Sequence, residues 1–561
     1  MTDLFQKHQD MLTQALHHCQ HRTYWSPFQE SPSAKLHTPH AHEQAKAQYQ
    51  NLLGKAFPLL QPHTIGSVGS EISPYTQEAL GISYPKPDVH QLMECSHQAH
   101  KQWNRHTTPE ERVGLCLEML SRLAKKCFVN TYASMHTAGM SFMMGFAGSG
   151  ANALDRGLEA LAHAHNAMSA IPAQTHFQRN FGRGPLTSID KSYHIVGRGV
   201  ATVVCCGTFP TWNAYPALFA NLATGNSVVL KPHPNGILPV AIAVQTCRDV
   251  LQEHGYEPNI ILLAADDPDE RITLELLEHP RTAIIDFTGS PTFGSWIEKN
   301  CTHALVFTET AGCNSVIIES TDNYEGMISA IAQSLCLFSS QMCTSAQNIF
   351  IPSTGITHNE THVPYEQIVS DLVHKIDSLT ANPEIAAGLC GCVMSPLTFQ
   401  QIAELREESK NYKLLRDAKP YAHPQFPKAS TSTPLLVEVD ITASQLYQKE
   451  HFGPMAFVIR CPDAASGLKQ ASADAKNHGS ISSYAYSIHP EFVDAIEDAF
   501  LEAGASIGCN LIAHLPINFS AAYSDFHVTG LNPAGNACLT DIAFVASRFR
   551  IVQIKKERPP Q

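Results

Sequence analysis

A cysteine and a glutamate 34 positions apart define the chemistry this chain can attempt. Cys343 closes the tetrad Ser340-Gln341-Met342-Cys343, and Glu309 stands in Phe307-Thr308-Glu309-Thr310-Ala311-Gly312. A thiol nucleophile and a carboxylate delivered by separate segments suit a two-stage reaction, in which an acyl-thioester forms on sulfur and water then releases it. Most of the 16 cysteines are expected to be small buried hydrophobes, Cys336 on an apolar helix face among them. Cys343 differs because Ser339, Ser340, Gln341, Thr344 and Ser345 around it are polar and loop-forming. Two further segments accompany the pair. Phe287-Thr288-Gly289-Ser290-Pro291-Thr292-Phe293-Gly294 ends a predicted strand and opens a helix, so its backbone N–H groups can meet a pyrophosphate. Pro210-Thr211-Trp212-Asn213 follows another predicted strand, and a loop at a strand's carboxyl end presents Asn213.

The elements that must position these groups follow from periodicity. Val200 to Val204, Val228 to Leu230, Ile260 to Leu263 and Ala283 to Phe287 read as short buried strands. Between the second and third, a helix from about Leu238 to His254 places Val240, Val244, Cys247 and Leu251 on one face, with Gly255 where a C-terminal cap belongs. Strands separated by helices favour a parallel sheet covered on both faces. A second α/β unit follows Glu309, with a helix from about Tyr324 to Phe338 delivering Cys343 and another from Pro490 to Ala503. Upstream, Thr108-Pro109-Glu110-Glu111 predicts a capped helix start, and a further helix runs from about Ala151 to Met168, with His163 and His165 as surface or packing residues. The first 86 residues, helical from Leu4 to Cys19 and then punctuated by proline, read as an extension wrapping the body and offer no chemistry. Phe544 to Ile554 alternates enough to form a strand on a neighbouring subunit's sheet.

A chain of 561 residues implies two or three domains. The division expected is an extension over 1–86, a dinucleotide-binding domain over 87–308, a catalytic domain over 309–515 and a C-terminal segment with an oligomerisation arm over 516–561. The formal charge of −13 excludes a chain-wide basic field for nucleic acid, and the basic run Arg548 to Arg558 reads as a solvated face. No apolar run reaches a membrane span, and Asp3, Lys7 and Asp10 exclude a secretory signal's apolar core. With 16 cysteines and no such signal, a reducing, cytoplasmic setting is expected. Cys205-Cys206, Cys390-Gly391-Cys392 and His37, His40, His42 lack the paired short spacings of a structural metal site, so no metal is expected.

Taken together and in this order, the four motifs resemble the aldehyde dehydrogenase superfamily from about Pro87 to Ile554. The resemblance implies an α/β fold with a Rossmann-type cofactor domain, an α/β catalytic domain and a small β oligomerisation element. It makes Cys343 the nucleophile, Glu309 the general base that activates water, and Asn213 with the Cys343 backbone N–H the oxyanion donors. It assigns the cofactor to Thr211, Trp212, Lys231 (in Leu230-Lys231-Pro232), Gly289, Ser290 and Gly294, and to Glu450 and Phe452 of Glu450-His451-Phe452-Gly453-Pro454. Arg22-Thr23-Tyr24-Trp25-Ser26-Pro27 and Thr208 to Pro216 further resemble the PaaN type of phenylacetic acid degradation protein. That implies NAD(P)-dependent oxidation of a semialdehyde of aromatic catabolism, free or CoA-linked, by a homodimer or homotetramer.

The chain departs from the family pattern in three places. Thr310-Ala311-Gly312 replaces Leu-Gly-Gly after the glutamate, Ser340 replaces the glycine that begins the tetrad, and the segment from Asn213 to Lys231 is short. Where NAD-preferring members place a glutamate that would repel a 2′-phosphate, this chain has Pro234, so NADP is expected to be accepted and preferred over NAD. Two other readings stay open: a CoA-acylating enzyme, and a weakly active nucleotide-binding subunit of a degradation complex.

Overall fold

The computed structural model describes residues 3–182, 186–512 and 516–558. The first sheet is built from β1 (Val200–Val204), β2 (Ser227–Lys231), β3 (Ile261–Leu263), β4 (Thr282–Thr288) and β5 (Leu305–Glu309). All five are parallel in the order β3-β2-β1-β4-β5. Their near-continuous burial explains the unbroken apolar runs read from the sequence. Helices α1 (Asn152–Ser169), α2 (Ala214–Ala223), α3 (Ile237–Glu253) and α4 (Pro291–Asn300) are associated with it. The strand order turns back between β1 and β4, and both carry a candidate motif at their carboxyl ends, the position where open α/β sheets bind ligands.

The second sheet has seven strands: β6 (Ser315–Ile318), β7 (Asn348–Pro352), β8 (Lys413–Arg416), β9 (Leu435–Asp440), β10 (Met455–Cys461), β11 (Ser483–Tyr486) and β12 (Ile507–Cys509). Their order is β8-β9-β10-β7-β6-β11-β12, parallel except for the antiparallel edge pair β8–β9. Helix α5 (Tyr324–Cys336) starts at Asn323, whose side chain accepts from the Gly326 N–H, and packs its apolar face with Val316, Ile349 and Ile351 in one core.

The helix start at Thr108 forms the full reciprocal capping box with Glu111. Two expectations need adjustment. The terminal strand spans Phe549–Glu557 and pairs antiparallel with the chain's own strand Thr187–Gly197, which also pairs with Gln174–Arg179, so along this edge its partner lies within the chain. Phe544 lies instead in a short helix, Ile542–Ala546, begun by the Asp541 side chain accepting from the Phe544 N–H. The first 86 residues contain more order than proline punctuation suggested, with a helix at Ala41–Leu52 and the strand pair Thr64–Val68 and Tyr84–Pro87. No described helix is long and apolar enough to cross a membrane.

Candidate active site

Helix α5 stops just short of the cysteine loop, and the backbone then takes three consecutive left-handed residues, Phe338 (φ 49°), Ser339 (φ 49°) and Ser340 (φ 51°). Each costs about 1–2 kcal/mol for a residue with a side chain, so the turn must be held. The Ser340 hydroxyl donates to the Leu335 carbonyl at 2.7 Å and the Ser339 hydroxyl to the Cys390 carbonyl at 3.1 Å. The Gln341 amide donates to the Cys392 carbonyl at 2.9 Å, and its own oxygen accepts from the Met394 N–H at 2.9 Å. Beyond the turn, Asn314 fixes the cysteine itself. Its amide donates to the carbonyls of Cys343 (2.7 Å) and Ser345 (3.0 Å), while its oxygen accepts from the N–H groups of Ile481 and Ser482.

Four side chains converge at the thiol. Glu309 ends β5 and is 1% exposed. Its Oε2 accepts from the Asn213 amide at 2.8 Å, and its Oε1 lies 2.8 Å from His527 Nε2. The same imidazole nitrogen lies 3.9 Å from Cys343 Sγ. The His527 ring packs edge-on against Trp212 with centroids 4.7 Å apart, and its Nδ1 is 3.3 Å from the Ser520 hydroxyl, whose oxygen accepts from Arg156 Nη2 at 2.7 Å. Burial pushes the Cys343 thiol well above its ordinary range, and the charges of Glu309, Cys206 and Glu450 add to this. The residue's own backbone N–H acts in the opposite direction. Cys206 donates to Asn213 Oδ1 at 3.4 Å, and burial pushes its thiol up to about 12.

Two cavities meet at this cluster, sharing Phe209, Asn213 and Cys343 as common wall. One, about 690 Å³, runs along the carboxyl ends of the first sheet and is lined by Lys231, His233, Arg271, Gly289, Ser290, Glu450 and Phe452, with Glu309 at its inner end. The Lys231 ammonium sits 2.8 Å from Asp266 and donates to the Pro232 carbonyl at 2.7 Å; burial lowers its pKa and Asp266 opposes that shift. Ser290 caps α4, accepting from the Phe293 N–H at 3.4 Å. A Cβ on Gly289 would come within 2.6 Å of the end of the Phe287 ring, so a larger residue there would push that ring aside. Glu450 makes no hydrogen bond among the described residues, and burial pushes its carboxyl up to about 7. A helix N-terminus, a glycine cradle, an ammonium and an unpartnered carboxyl fit the phosphates and ribose hydroxyls of a dinucleotide.

The second cavity, about 830 Å³, is largely apolar, with Met143, Met144, Trp212, Leu337, Met342 and Phe519 in its wall. Tyr24 and Glu30 of the N-terminal extension line it too, so the segment from which no chemistry was expected helps shape the site. Four expected cofactor contacts lie elsewhere than the first cavity's wall. Thr211 is fully buried with its hydroxyl on the Ser149 carbonyl at 2.9 Å. Trp212 faces the second cavity, Pro234 is buried, and Gly294 packs against Thr310 and Phe287.

Sequence reasoning missed His527, Asn314 and Arg271. His527 is one of 30 histidines, 184 positions from Cys343 and within no motif. Asn314 had a usable signal, as an asparagine two residues beyond a glycine-closed motif and directly before a strand.

Residues 66–486 match the family model described as the aldehyde dehydrogenase family. Among solved structures, a NAD-dependent aldehyde dehydrogenase from Burkholderia multivorans shares 40% identity, with a TM-score of 0.97 and complete coverage of both chains. A 1-pyrroline-5-carboxylate dehydrogenase from Thermus with bound NAD has the same fold at 17% identity and a TM-score of 0.72, covering 96% of this chain and 100% of that one. Among curated sequences, 1-pyrroline-5-carboxylate dehydrogenase 2 of Bacillus subtilis (strain 168) is 23% identical over 462 residues, 77% of this chain and 81% of that protein.

Proposed function

The chain belongs to the aldehyde dehydrogenase family, and from that premise we propose that it oxidises an aldehyde to a free carboxylic acid through Cys343, with Glu309 as the hydrolytic base. The observation that carries this reading is the meeting of two cavities at a thiol that has a buried carboxylate and an amide donor beside it. The Cys343 sulfur attacks the aldehyde carbon, and the charge that develops on oxygen meets the Asn213 amide and the Cys343 backbone N–H. Each such donor is worth about 2.7–4 kcal/mol of barrier. One N–H of the Asn213 amide is held by Glu309 and the second remains for the oxyanion. A bound nicotinamide dinucleotide would supply the hydride acceptor, held by Lys231, Gly289, Ser290, Glu450 and Phe452. Glu309 then takes a proton from the water that attacks the thioester carbonyl, the C–S bond breaks, and the acid departs with the thiol restored.

The substrate we assign is a semialdehyde of aromatic catabolism, on the strength of the PaaN-type segments and the apolar second cavity. NADP is accepted alongside NAD in this reading, because Pro234 takes the place of the repelling carboxylate and the cavity wall that holds Lys231 also carries His233 and Arg271. The solved relative is named NAD-dependent, so the preference is a direct question for initial rates. Residues 87–308 would hold the dinucleotide and 309–515 the cysteine. Self-association would use the three-stranded sheet, whose terminal strand exposes Ile551, Val552 and Ile554. A cytoplasmic location accords with the 16 free thiols.

The test is an aldehyde panel with each dinucleotide, with and without CoA, analysing the product. Free acid formed without CoA is expected. Acyl-CoA as the only product would install the CoA-acylating alternative, and no oxidation of any aldehyde would install the weak nucleotide-binding subunit.

A further inference from the structure

Among the described residues, two groups of three histidine, cysteine and carboxylate side chains bring their donor atoms within 4.8 Å of one another. The first, Cys19, Glu159 and His163, is unsuited to a cation. Two guanidinium groups already face its carboxylate and would repel a cation, with Arg156 Nη1 2.7 Å from Glu159 Oε2 and Arg22 Nη1 3.8 Å from Oε1. The second is Glu309, Cys343 and His527, and it is built differently.

We propose that Cys343, His527 and Glu309 form a reversible inhibitory site for a thiophilic divalent cation, Zn²⁺ in particular. One sulfur, one imidazole nitrogen and one carboxylate oxygen are the donor types zinc selects, and three protein ligands with one open position is a standard zinc arrangement. Two of the three separations are close to those a tetrahedral ion imposes, and the third is within 4.8 Å. With Zn–S of about 2.3 Å and Zn–N and Zn–O of about 2.0–2.2 Å, neighbouring ligand atoms stand roughly 3.3–3.7 Å apart. Sγ and Nε2 are 3.9 Å apart and Nε2 and Oε1 are 2.8 Å apart. The carboxylate therefore backs away by about half an ångström, a small rotation of one side chain, and the sulfur closes by less.

The imidazole can be turned to the role without moving. Nε2 faces the other two donors and its N–H donates to Glu309 Oε1 at 2.8 Å, while Nδ1 lies 3.3 Å from the Ser520 hydroxyl; when the ion displaces the Nε2 proton, Nδ1 takes it up and donates to that hydroxyl oxygen, leaving the Nε2 lone pair for the ion. Ser520 is itself fixed by Arg156, a 1%-exposed residue. Access is provided by both cavities, since Cys343 lines each. Binding forms the S–Zn bond as the thiol proton leaves to solvent, and no electron is transferred. The ion would occupy the nucleophile and the hydrolytic base at once, which makes inhibition complete rather than partial. The inhibition rests on the function proposed above; the binding does not.

The experiment uses the full chain, stripped with a chelator and titrated with Zn²⁺ against a chromophoric competitor, then with Co²⁺ for its spectrum. Wild type is expected to take up about one equivalent and to show a thiolate-to-Co²⁺ charge-transfer band. Both signals should fall to below about a tenth in Cys343→Ser, in His527→Gln, and in wild type whose Cys343 has been blocked by iodoacetamide, the last needing no substitution to fold. Zinc uptake unchanged in all three would overturn the site, whatever the enzyme's activity. Zinc uptake lost in all three by a protein that oxidises no aldehyde would leave the site standing and remove the function.

Discussion

Replacing Glu309 by glutamine separates the two halves of the proposed reaction. Glutamine is isosteric, and the geometry indicates that the fold tolerates it. Its oxygen can accept from the Asn213 amide as Oε2 does now at 2.8 Å, and its amide can donate to His527 Nε2 in place of the present 2.8 Å contact. Two hydrogen bonds to a charged group become two to a neutral one, a loss of about 1 kcal/mol each at most. Acylation draws on Cys343, Asn213 and the backbone N–H, none of which changes, so one equivalent of reduced dinucleotide per site should still appear in a rapid phase. Hydrolysis loses its base, a contribution of about 10²–10⁴-fold, or roughly 2.7–5.5 kcal/mol of barrier. Stopped-flow absorbance of the reduced nicotinamide reads both phases in one trace. Hydroxylamine, which needs no base to attack a thioester, should restore turnover. A steady-state rate equal to wild type would refute the assignment of Glu309. Loss of the rapid phase would show instead that the carboxylate acts before acylation, on the thiol.

Asn213→Ala removes an oxyanion donor and should lower the rapid phase by about 10²–10³-fold, the mirror of the Glu309 result; single-turnover rates check it. Glu450 stands protonated below about pH 7 and ionises above it. A carboxylate accepts ribose hydroxyls more strongly than the acid does, so dinucleotide affinity should rise roughly fivefold between about pH 6 and pH 8.5. Glu450→Gln should flatten that rise in a fluorescence titration. At Gly312, with φ +81°, a Cβ would stand 2.2 Å from the Gly479 carbonyl oxygen. Gly312→Ala should therefore cost more than about 3 kcal/mol in denaturant unfolding. Ser340→Gly relieves left-handed strain of about 1–2 kcal/mol and forfeits one hydrogen bond of about 1 kcal/mol, so its midpoint should stay near wild type. Ser340→Ala keeps the strain and loses the bond, and should be less stable than Ser340→Gly by about 1–2 kcal/mol.

What the sequence made legible was whatever a local pattern enforces. β1 was expected at its observed bounds because four of its five residues are buried in a central parallel strand and its one polar residue, Thr202, lies in the middle, where it does not blur the ends. The capping box at Thr108 and the helix Pro490–Ala503 were equally plain, since proline and cap residues mark helix starts directly. The antiparallel strands Gln174–Arg179 and Thr187–Gly197 went unseen for the opposite reason. They carry almost no buried residue, so no hydrophobic alternation announces them. The terminal strand was read as pairing outside the chain because its partner was one of those hidden strands. His527 was invisible for a third reason. Its place beside Cys343 depends on how residues 516–540 fold back over the first sheet, where Thr308 and Thr310 bond to Asn536 and Ala534, and no spacing encodes that return.

The departures from the family pattern have a common physical character once these contacts are considered. Ser340 occupies a backbone position that favours glycine, with Phe338 and Ser339 beside it in the same left-handed region. The chain does not relax this turn; it clamps it, through the Ser339, Ser340 and Gln341 side chains and through Asn314 on the far side of the cysteine. Strain of this kind persists only where the surroundings over-determine it, and here the clamps come from the second sheet and from the loop at Cys390 to Met394. Gly312 remains in place although the two residues before it differ from the pattern, because the Gly479 carbonyl leaves no room for a side chain. Thr310, free of that constraint, instead binds the returning C-terminal segment at Ala534. Thr310 thus ties the Glu309 loop to the segment that carries His527, whose imidazole is a third side chain within reach of the thiol.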